Sequence, residues 1–267
     1  MARITKKDIY AAHSVQFDGK HIIAPEFGPI PRLLVNGNKK IGKGVYHFSI
    51  LPTNQIFTVR VREIEYKLFG SCACYCKGCY AMSGRYVMDS VKKSLAVKTW
   101  LAYNALDFVE KAINAQIAAD NIKIVRVHVA GDFFSAEYVE MWKRIAINNP
   151  AVCFWTYTKV ETAENAFNDI PNFNVVKSVI PGKGFNFGTC EYLLGVYEFL
   201  RNIGEKPYIC RCGVDDAQHC IDCAACRTCK YVLFLEHGTD YDAKKDPLYP
   251  AFCALVLAQK SQNTKAA

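Results

Sequence analysis

The sequence predicts an α/β fold, either a parallel sheet or an open or closed α/β barrel. After residue 120, apolar runs typical of strands alternate with helical stretches of about 10 to 15 residues, which is the pattern of successive βαβ units. Hydrophobic residues make up 51% of the 267 positions, so the chain can bury the core of one large domain.

The N-terminal part of the chain has a different pattern. Its first 65 residues are rich in Gly, Pro and short apolar runs, which predicts a β-rich segment over residues 1–65. Residues 89–119 then contain no Gly or Pro and many good helix formers, which predicts one long helix or two consecutive helices.

The alternating elements follow in order. Strands are predicted at "KIVRVHVAGD", "AVCFWTYTKV" and "FNVVKSVIPG", with two short strands at "KPYICRC" and "KYVLFLEHG". Helices are predicted at "SAEYVEMWKRIAINN", which Ser135 can cap, at "ETAENAFNDI", and at "TCEYLLGVYEFLRNIG", which Gly204 ends. We therefore predict an α/β core over residues 66–205, a cysteine-rich segment over residues 206–240 that completes the barrel, and a C-terminal tail over residues 241–267.

Composition narrows the functional classes. The N-terminus "MARITKKDIYAAHS" has no apolar export signal, so we expect the 13 cysteines to be reduced in the cytoplasm and to bind a metal or cluster. No apolar run approaches the roughly 18 residues that cross a bilayer, so no membrane partner is expected. A net charge of +8 favours an anionic partner such as a nucleic acid or nucleotide, although a solvated basic surface explains the charge equally well.

In α/β folds, functional side chains gather at the carboxyl ends of the strands. The first predicted strand of the core ends at Gly131 and Asp132, and the third is followed by Ser178. Because side chains alternate along a strand, we expect Arg126 and His128 to share one face and to point into the interior. His128 is therefore a candidate cofactor-binding residue, and the alternative is a structural ion pair beside a buried core histidine.

Four thiols stand together in "SCACYCKGCY". Cys72, Cys76 and Cys79 have the spacing C-x3-C-x2-C, and three thiolates can hold three irons of a 4Fe-4S cluster while the fourth iron stays open to a small ligand. The spacing also permits a set that includes Cys74, which otherwise has no assigned role. A zinc site and unliganded thiols are the alternatives, but four zinc ligands within eight residues would be cramped.

A second group of cysteines follows the core. It contains Cys210, Cys212, Cys220, Cys223, Cys226 and Cys229, with His219 among them. The run C-x2-C-x2-C-x2-C is similar to that of bacterial ferredoxins, which favours a second 4Fe-4S cluster on Cys212, Cys220 or Cys223, Cys226 and Cys229. A structural zinc is the alternative. In either case the bound metal would supply folding energy to a segment too short to bury its own core.

The C-x3-C-x2-C spacing at the start of an α/β series resembles the radical S-adenosylmethionine (radical SAM) superfamily. That resemblance implies a partial (β/α) TIM-like barrel of the radical SAM type, in which the methionine part of S-adenosylmethionine binds the open iron. It also implies that Gly131 and Asp132 occupy the place of a Gly-Gly-Glu motif that holds the methionine amino group, although the residues differ. By the same resemblance Ser178 would bond the ribose, and Tyr80 would pack beside the cluster or adenine.

A narrower resemblance is carried by "GKGVYHFSILP", "CYAMSGRY", "VRVHVAGDFFSAEYVEMWKRIA" and "FWTYTK". Together these stretches, over roughly residues 40–235, resemble the phage gene product 88 family. The expected location is then the cytoplasm of the host cell. The family does not indicate a substrate.

The radical SAM resemblance implies an iron–sulfur enzyme that reductively cleaves S-adenosylmethionine to a 5'-deoxyadenosyl radical and abstracts hydrogen from a substrate. An electron donor such as flavodoxin or ferredoxin is implied, and the substrate class is open between a nucleic acid, a nucleotide and a peptide. No catalytic residue is assigned. The alternative is a non-catalytic phage module that holds zinc or an Fe-S cluster and binds nucleic acid or a host protein.

Overall fold

The computed structural model describes residues 4–37, 41–52, 55–72, 79–211, 214, 220–236 and 241–263. The strands in these residues are β1 (Gln16–Phe17), β2 (Ile22–Ala24), β3 (Gly28–Ile30), β4 (Val35–Asn36), β5 (Val45–Phe48), β6 (Ile56–Val61), β7 (Ile64–Phe69), β8 (Ile124–Val127), β9 (Cys153–Thr158), β10 (Phe173–Lys177), β11 (Val179–Ile180), β12 (Gly184–Phe185), β13 (Phe187–Gly188), β14 (Tyr208–Ile209) and β15 (Val232–Leu235). The helices are α1 (Lys6–Ala12), α2 (Asp89–Asn104), α3 (Leu106–Asp120), α4 (Ala136–Asn148), α5 (Glu161–Ala166), α6 (Cys190–Asn202), α7 (Cys220–Cys223), α8 (Ala225–Thr228) and α9 (Tyr249–Asn263).

A five-stranded sheet forms the centre of the fold, with strand order β10-β9-β8-β5-β4. β5, β8, β9 and β10 run parallel, and the edge strand β4 is antiparallel to β5. Helices α4 and α5 connect β8 to β9 and β9 to β10 in turn, so the predicted alternation of strands and helices is observed. The carboxyl ends of β5, β8, β9 and β10 therefore meet at one edge of this sheet.

A second parallel sheet lies farther along the chain, with order β13-β15-β14. The amide of Lys177, at the end of β10, donates to the carbonyl of Lys230 at 2.9 Å, which joins the central sheet to the segment that precedes β15. The strands of the described residues are divided among five separate sheets. The partial TIM-like barrel consequently stays a prediction, while the mixed α/β architecture is observed.

The two faces of the central sheet are covered by different parts of the chain. On one face, buried Phe48, Val125 and Phe154 pack in the large apolar core that also contains Trp142 of α4. On the other face, Trp155 packs against residues of the cysteine-rich segment, including Ile221 and Cys226. Strand alternation produces this division, because successive side chains of β8 and β9 point to opposite faces.

The N-terminal region contributes directly to the central sheet. β5 lies within the segment predicted to be a separate β-rich unit, yet it pairs with β8 in parallel register, with His47 opposite Arg126. β6 and β7 form a hairpin between β5 and the cysteines. The predicted helical region consists of two helices, α2 and α3, because the chain leaves helical geometry at Ala105. Helix α4 begins after Ser135, whose side chain accepts the Tyr138 amide as expected.

The region predicted as a C-terminal tail contains helix α9, which the sequence pattern did not reveal. Phe252 and Val256 of this helix are fully buried and belong to a second apolar core with Leu193 and Leu200 of α6. The β13-β15-β14 sheet contributes Leu233 to the same core. Within the described residues, no helix combines the length and the apolar character that crossing a membrane requires.

Packing of α9 predicts the effect of truncating its buried aromatic residue. Phe252→Ala should lower the free energy of unfolding by about 3–5 kcal/mol, because it removes a fully buried ring and leaves a cavity. The matched variant Leu257→Ala lies on the same helix, where the leucine is 53% exposed, and it should change stability by less than about 0.5 kcal/mol. Urea denaturation of both variants measures the difference, and equal effects would show that α9 does not dock as described.

Candidate functional site

The loop of four cysteines begins at a residue that is bound to two strand ends. The Ser71 amide donates to the carbonyl of Leu51 at 2.8 Å, just beyond β5. The hydroxyl of Ser71 donates to the same carbonyl at 3.1 Å and accepts the Asp132 amide, also at 3.1 Å, just beyond β8. Ser71 is buried, so these bonds are shielded from water. Cys72, the next residue, is therefore held at the carboxyl edge of the sheet.

The far side of the loop is fixed to the same region of the chain. The buried side chain of Gln55 donates to the carbonyl of Ala81 at 3.1 Å and to that of Tyr86 at 3.4 Å. Both carbonyls belong to 3₁₀ turns that follow Cys79, over Tyr80–Met82 and Gly84–Val87. The segment between β5 and β6 thus anchors both flanks of the cysteine loop.

Two of the predicted N-terminal ligands lie in the described residues. Cys72 and Cys79 both have partly buried side chains. Burial raises the pKa of Tyr103 on α2, and the nearby Cys72 thiolate raises it further, which places Cys72 close to that phenol. Cys74 and Cys76 lie outside the described residues. Tyr80 begins the turn after Cys79, and its predicted contact with a cluster or adenine stays a prediction.

Gly131 makes the close approach of Ser71 to the end of β8 possible. Its φ is +84°, and a Cβ atom there would lie 2.4 Å from Ile50 Cγ1 and 2.8 Å from Ser71 Oγ. A larger residue would therefore be strained by its backbone and would also push away the serine that begins the loop. Packing against Ile50 and Ser71 explains this glycine without reference to any ligand.

Asp132 links the ends of neighbouring strands. Its Oδ1 accepts hydrogen bonds from the Thr158 hydroxyl at 2.7 Å and from the backbone amide of Phe133 at 2.8 Å. Its Oδ2 accepts a hydrogen bond from the Lys159 amide at 3.1 Å. Burial raises the pKa of Asp132, and the hydrogen bonds from Thr158 and the two amides oppose that rise. A carboxylate oxygen can accept two hydrogen bonds, so Oδ2 has capacity for another donor.

The predicted strand-end residues lie along one edge. The Ser178 amide donates to the carbonyl of Thr158 at 3.2 Å, and Thr158 in turn donates to Asp132. Ser178 is buried, and its carbonyl accepts the Asn186 amide at 3.0 Å. Asp132, Thr158 and Ser178 thus lie at the ends of β8, β9 and β10, and Cys72 follows Ser71 at the same edge of the sheet. The ribose contact of Ser178 stays a prediction.

The expectation that His128 and Arg126 share a face is wrong. His128 has a φ of +62°, so regular strand alternation ends there. Its Nε2 lies 2.8 Å from the hydroxyl of Tyr138 on α4, and its ring packs against Phe133 and Trp142. Arg126 instead lies over the ring of Tyr157, with its guanidinium carbon 4.6 Å from the ring centroid. His128 is therefore part of the core between sheet and helix, and the predicted cofactor contact has no geometric support there.

The cysteine-rich segment covers the face of the sheet that carries Tyr157. The Tyr157 hydroxyl donates to Cys226 Sγ at 2.7 Å, and burial raises the pKa of Cys226 to about 12. The side-chain amide of Asn174 on β10 donates to the carbonyls of Cys226 and Cys229, both at 2.9 Å. The Cys223 thiol lies 3.7 Å from the Tyr208 hydroxyl. The sheet therefore fixes both the backbone and the thiols of this segment.

No three Cys, His, Asp or Glu side chains in the described ranges are arranged to hold a metal ion. Cys220, Cys223 and Cys226 do lie close enough that the first two thiolates raise the pKa of the third. Cys212, which completes the predicted ligand set, lies outside the described residues, as does His219. Both metal sites consequently stay predictions.

Comparison with known proteins identifies the family of the core. The family described as Gene product 88 matches residues 32–183, which is more than half of the chain. The chain belongs to the Gene product 88 family. The Gene 88 protein of Mycobacterium phage L5 is 54% identical over 41 residues, 15% of this chain and 17% of that protein. The Gene 88 protein of Mycobacterium phage D29 is 32% identical over 97 residues, 33% of this chain and 40% of that protein.

The residues that match the Gene product 88 family include the four N-terminal cysteines and all five strands of the central sheet. The matched range ends before the cysteine-rich segment. The chain spans less than half of the length of each of the two phage relatives. No solved structure matches the chain. The matches confirm the phage family and give no support to a radical SAM relationship, which stays a proposal.

A buried basic residue near the site was missed by sequence reasoning. Lys98 on α2 is 4% exposed. Lys98 was detectable, because it has the spacing that places it on the same helix face as Leu95 and Ala102, both of which are buried. The anchoring roles of Ser71 and Gln55 had no local signal, because their partners are distant in sequence.

The contacts of Gly131 predict a large loss of stability on substitution. Gly131→Ala should lower the free energy of unfolding by about 3 kcal/mol or more. The added Cβ would clash with Ile50 and Ser71, and the positive φ would strain the alanine backbone as well. Gly182→Ala is the matched control, because Gly182 has a φ of +71° with no neighbouring atom within 4 Å, and it should cost only about 1 kcal/mol. Chemical denaturation compares the two, and similar costs would contradict the described packing.

The environment of His128 predicts a change in acid stability. Burial, helped by the charge of Arg126, lowers its pKa from 6.5 to about 3 in the folded state. The unfolded chain therefore binds a proton at higher pH, so this contribution to stability is complete above pH 6.5 and is lost as the pH falls towards 3. At pH 4 the free energy of unfolding is lower by roughly 3 kcal/mol because of His128.

The test is His128→Asn, which cannot titrate and tolerates the left-handed backbone. Urea denaturation at pH 7 and at pH 4 should show a smaller loss of unfolding free energy for the variant than for the wild type. Parallel losses in the two proteins would show that His128 is not held neutral in the folded state.

Proposed function

We propose that this protein is an iron–sulfur enzyme of the radical SAM type. The observation that carries the proposal is the pair of hydrogen bonds through which Ser71 joins the start of the cysteine loop to Leu51 and Asp132. A small ligand on the open iron of a cluster held by this loop would lie beside Gly131 and Asp132, where the resemblance requires the methionine amino group.

The residues present are compatible with such a group. Cys72 and Cys79 are partly buried cysteines at the two ends of the C-x3-C-x2-C set, and Cys76 would supply its third ligand. Oδ2 of Asp132 can accept a further hydrogen bond besides that of the Lys159 amide. The positive φ of Gly131 and its missing Cβ allow the loop to approach the strand.

When bound, a reduced 4Fe-4S cluster would supply the electron that cleaves S-adenosylmethionine into methionine and the 5'-deoxyadenosyl radical. The protein's own residues have positioning tasks. Ser71 and Gln55 fix the flanks of the cysteine loop through buried hydrogen bonds. Asp132 and Ser178 offer polar groups at the ends of β8 and β10, and Thr158, at the end of β9 between them, holds Asp132 in place. Burial of these side chains excludes water, which would otherwise compete for the same hydrogen bonds.

We assign the second group of cysteines to a 4Fe-4S cluster or a structural zinc, with Cys212, Cys220, Cys223, Cys226 and Cys229 as its candidate ligands. Support comes from the sheet residues that hold this segment, since Asn174 binds two of its carbonyls and Tyr157 binds the Cys226 thiol. Helices α7 and α8 have four residues each, so a bound metal would add stability that their own packing cannot supply.

The decisive experiment is anaerobic purification of the full chain followed by reduction with dithionite in the presence of S-adenosylmethionine. We expect a brown protein with a 4Fe-4S absorption spectrum that produces 5'-deoxyadenosine. A colourless protein that contains only zinc and produces no 5'-deoxyadenosine would contradict the proposal and favour a non-catalytic phage metal-binding module.

A matched pair of variants tests the ligand set within the loop. Cys76→Ala should abolish 5'-deoxyadenosine formation and reduce the iron content, because it removes one of three cluster ligands. Cys74→Ala, two residues away in the same loop, should retain both. If the two variants lose iron equally, the division of the four thiols into three ligands and one bystander is wrong.

A further inference from the structure

Cys210 belongs to the second group of cysteines but not to its candidate ligands. It directly follows β14, and its amide donates to the carbonyl of Leu233 on β15 at 2.8 Å, so its backbone continues the parallel ladder between these strands. Because side chains alternate along a strand, Cys210 lies on the same face of the sheet as Tyr208. Ile209, between them, points into the apolar core on the other face.

The face of the sheet that carries Cys210 is also the face on which later cysteines pack. A small apolar cluster is built there around the buried side chains of Tyr208 and Val232. Among the described residues, the cysteines that pack against this cluster are Cys210, Cys223, Cys226 and Cys229. Cys210 comes from the end of a strand and the other three from the short helices α7 and α8 and the residue after them. The tertiary fold therefore brings Cys210 to the later cysteines.

Two tyrosine hydroxyls contact the thiols of this group. The Tyr157 hydroxyl donates to Cys226 Sγ at 2.7 Å, and the Cys223 thiol lies 3.7 Å from the Tyr208 hydroxyl. Burial raises the pKa of both Tyr157 and Tyr208, and the thiolate of Cys210 adds to the rise in each case. Cys210 therefore lies near both of the hydroxyls that contact Cys223 and Cys226.

We propose that Cys210, in place of Cys212, is a ligand of the second metal site. The inference rests on the proposed function, which assigns a metal to this group of cysteines, and deepens it by naming a ligand at the end of a strand. A 4Fe-4S cluster and a tetrahedral zinc each take four protein ligands. Four thiolates are available without Cys212, namely those of Cys210, Cys223, Cys226 and one of Cys220 and Cys229.

A ligand at the end of β14 gives the metal a structural task. The metal would join the β13-β15-β14 sheet to α7 and α8, which have four residues each. In the described ranges no three thiols converge on one point, so binding requires these partly buried side chains to turn. The hydroxyls of Tyr157 and Tyr208 can then donate to metal-bound thiolates, and such hydrogen bonds hold ligands in position.

The experiment measures iron and zinc per chain after anaerobic purification. To isolate the second site, the full chain carries alanine in place of the N-terminal ligands, Cys72, Cys76 and Cys79. In this background Cys210→Ser should lose most of the bound metal, because serine keeps the size of the side chain but removes the thiolate. Cys212→Ser should retain the metal. The matched control Cys253→Ser, which changes a partly buried cysteine of α9, should retain it as well.

Site-specific alkylation of the wild type keeps the test valid if Cys210→Ser folds poorly. Cys210 should be protected from iodoacetamide while the metal is bound and should react once a chelator has removed the metal, because a coordinated thiolate is not free to attack. Cys253 should react to the same extent in both states. Mass spectrometry of the digested protein measures alkylation at each cysteine.

Retention of the metal in a folded Cys210→Ser protein would overturn the inference, as would loss of the metal in Cys212→Ser or equal alkylation of Cys210 in both states. If the chain without the N-terminal ligands holds neither iron nor zinc, the assignment of a second metal site is wrong and the inference with it. Production of 5'-deoxyadenosine is measured separately in the wild type. Its absence together with metal binding that depends on Cys210 contradicts only the radical SAM proposal.

Discussion

The arrangement of the candidate site depends on the buried hydroxyl of Ser71. It donates to the carbonyl of Leu51 after β5 and accepts the amide of Asp132 after β8, so one side chain holds two parallel strand ends and the start of the cysteine loop together. The glycine at position 131 is required because no Cβ fits between Ile50 and this serine. A buried polar group without a hydrogen bond destabilises a protein more than a formed hydrogen bond stabilises it. The hydrogen bonds of Ser71 therefore also restrict the position of Ser71 at the sheet edge.

A polar chain continues from this contact across the edge of the sheet. Asp132 binds the Thr158 hydroxyl and the Lys159 amide, and the carbonyl of Thr158 accepts the amide of Ser178. The ends of β8, β9 and β10 are thereby joined through side chains as well as through their own ladders. Such buried polar groups hold one geometry when each has its partners.

The opposite faces of the central sheet have different chemical characters. The helix-covered face is apolar and accommodates His128 only as a neutral ring bonded to Tyr138. The other face carries Arg126, Tyr157 and Asn174, and it is covered by the cysteine-rich segment. Since that face has no long helix of its own in the described residues, its stability depends on short turns and their hydrogen bonds to the sheet.

The sequence by itself determined β8, β9 and β10, the helices between them and the cap at Ser135, because periodicity and capping are local properties. Tertiary structure decided the side of the sheet on which His128 lies, because a single left-handed residue ends the alternation on which the expectation rested. It also decided the placement of β5 in the central sheet and the docking of α9, since both depend on partners far along the chain. Burial of Lys98 was indicated only by its helical spacing, and the pairing of His47 with Arg126 became apparent once the strands were paired.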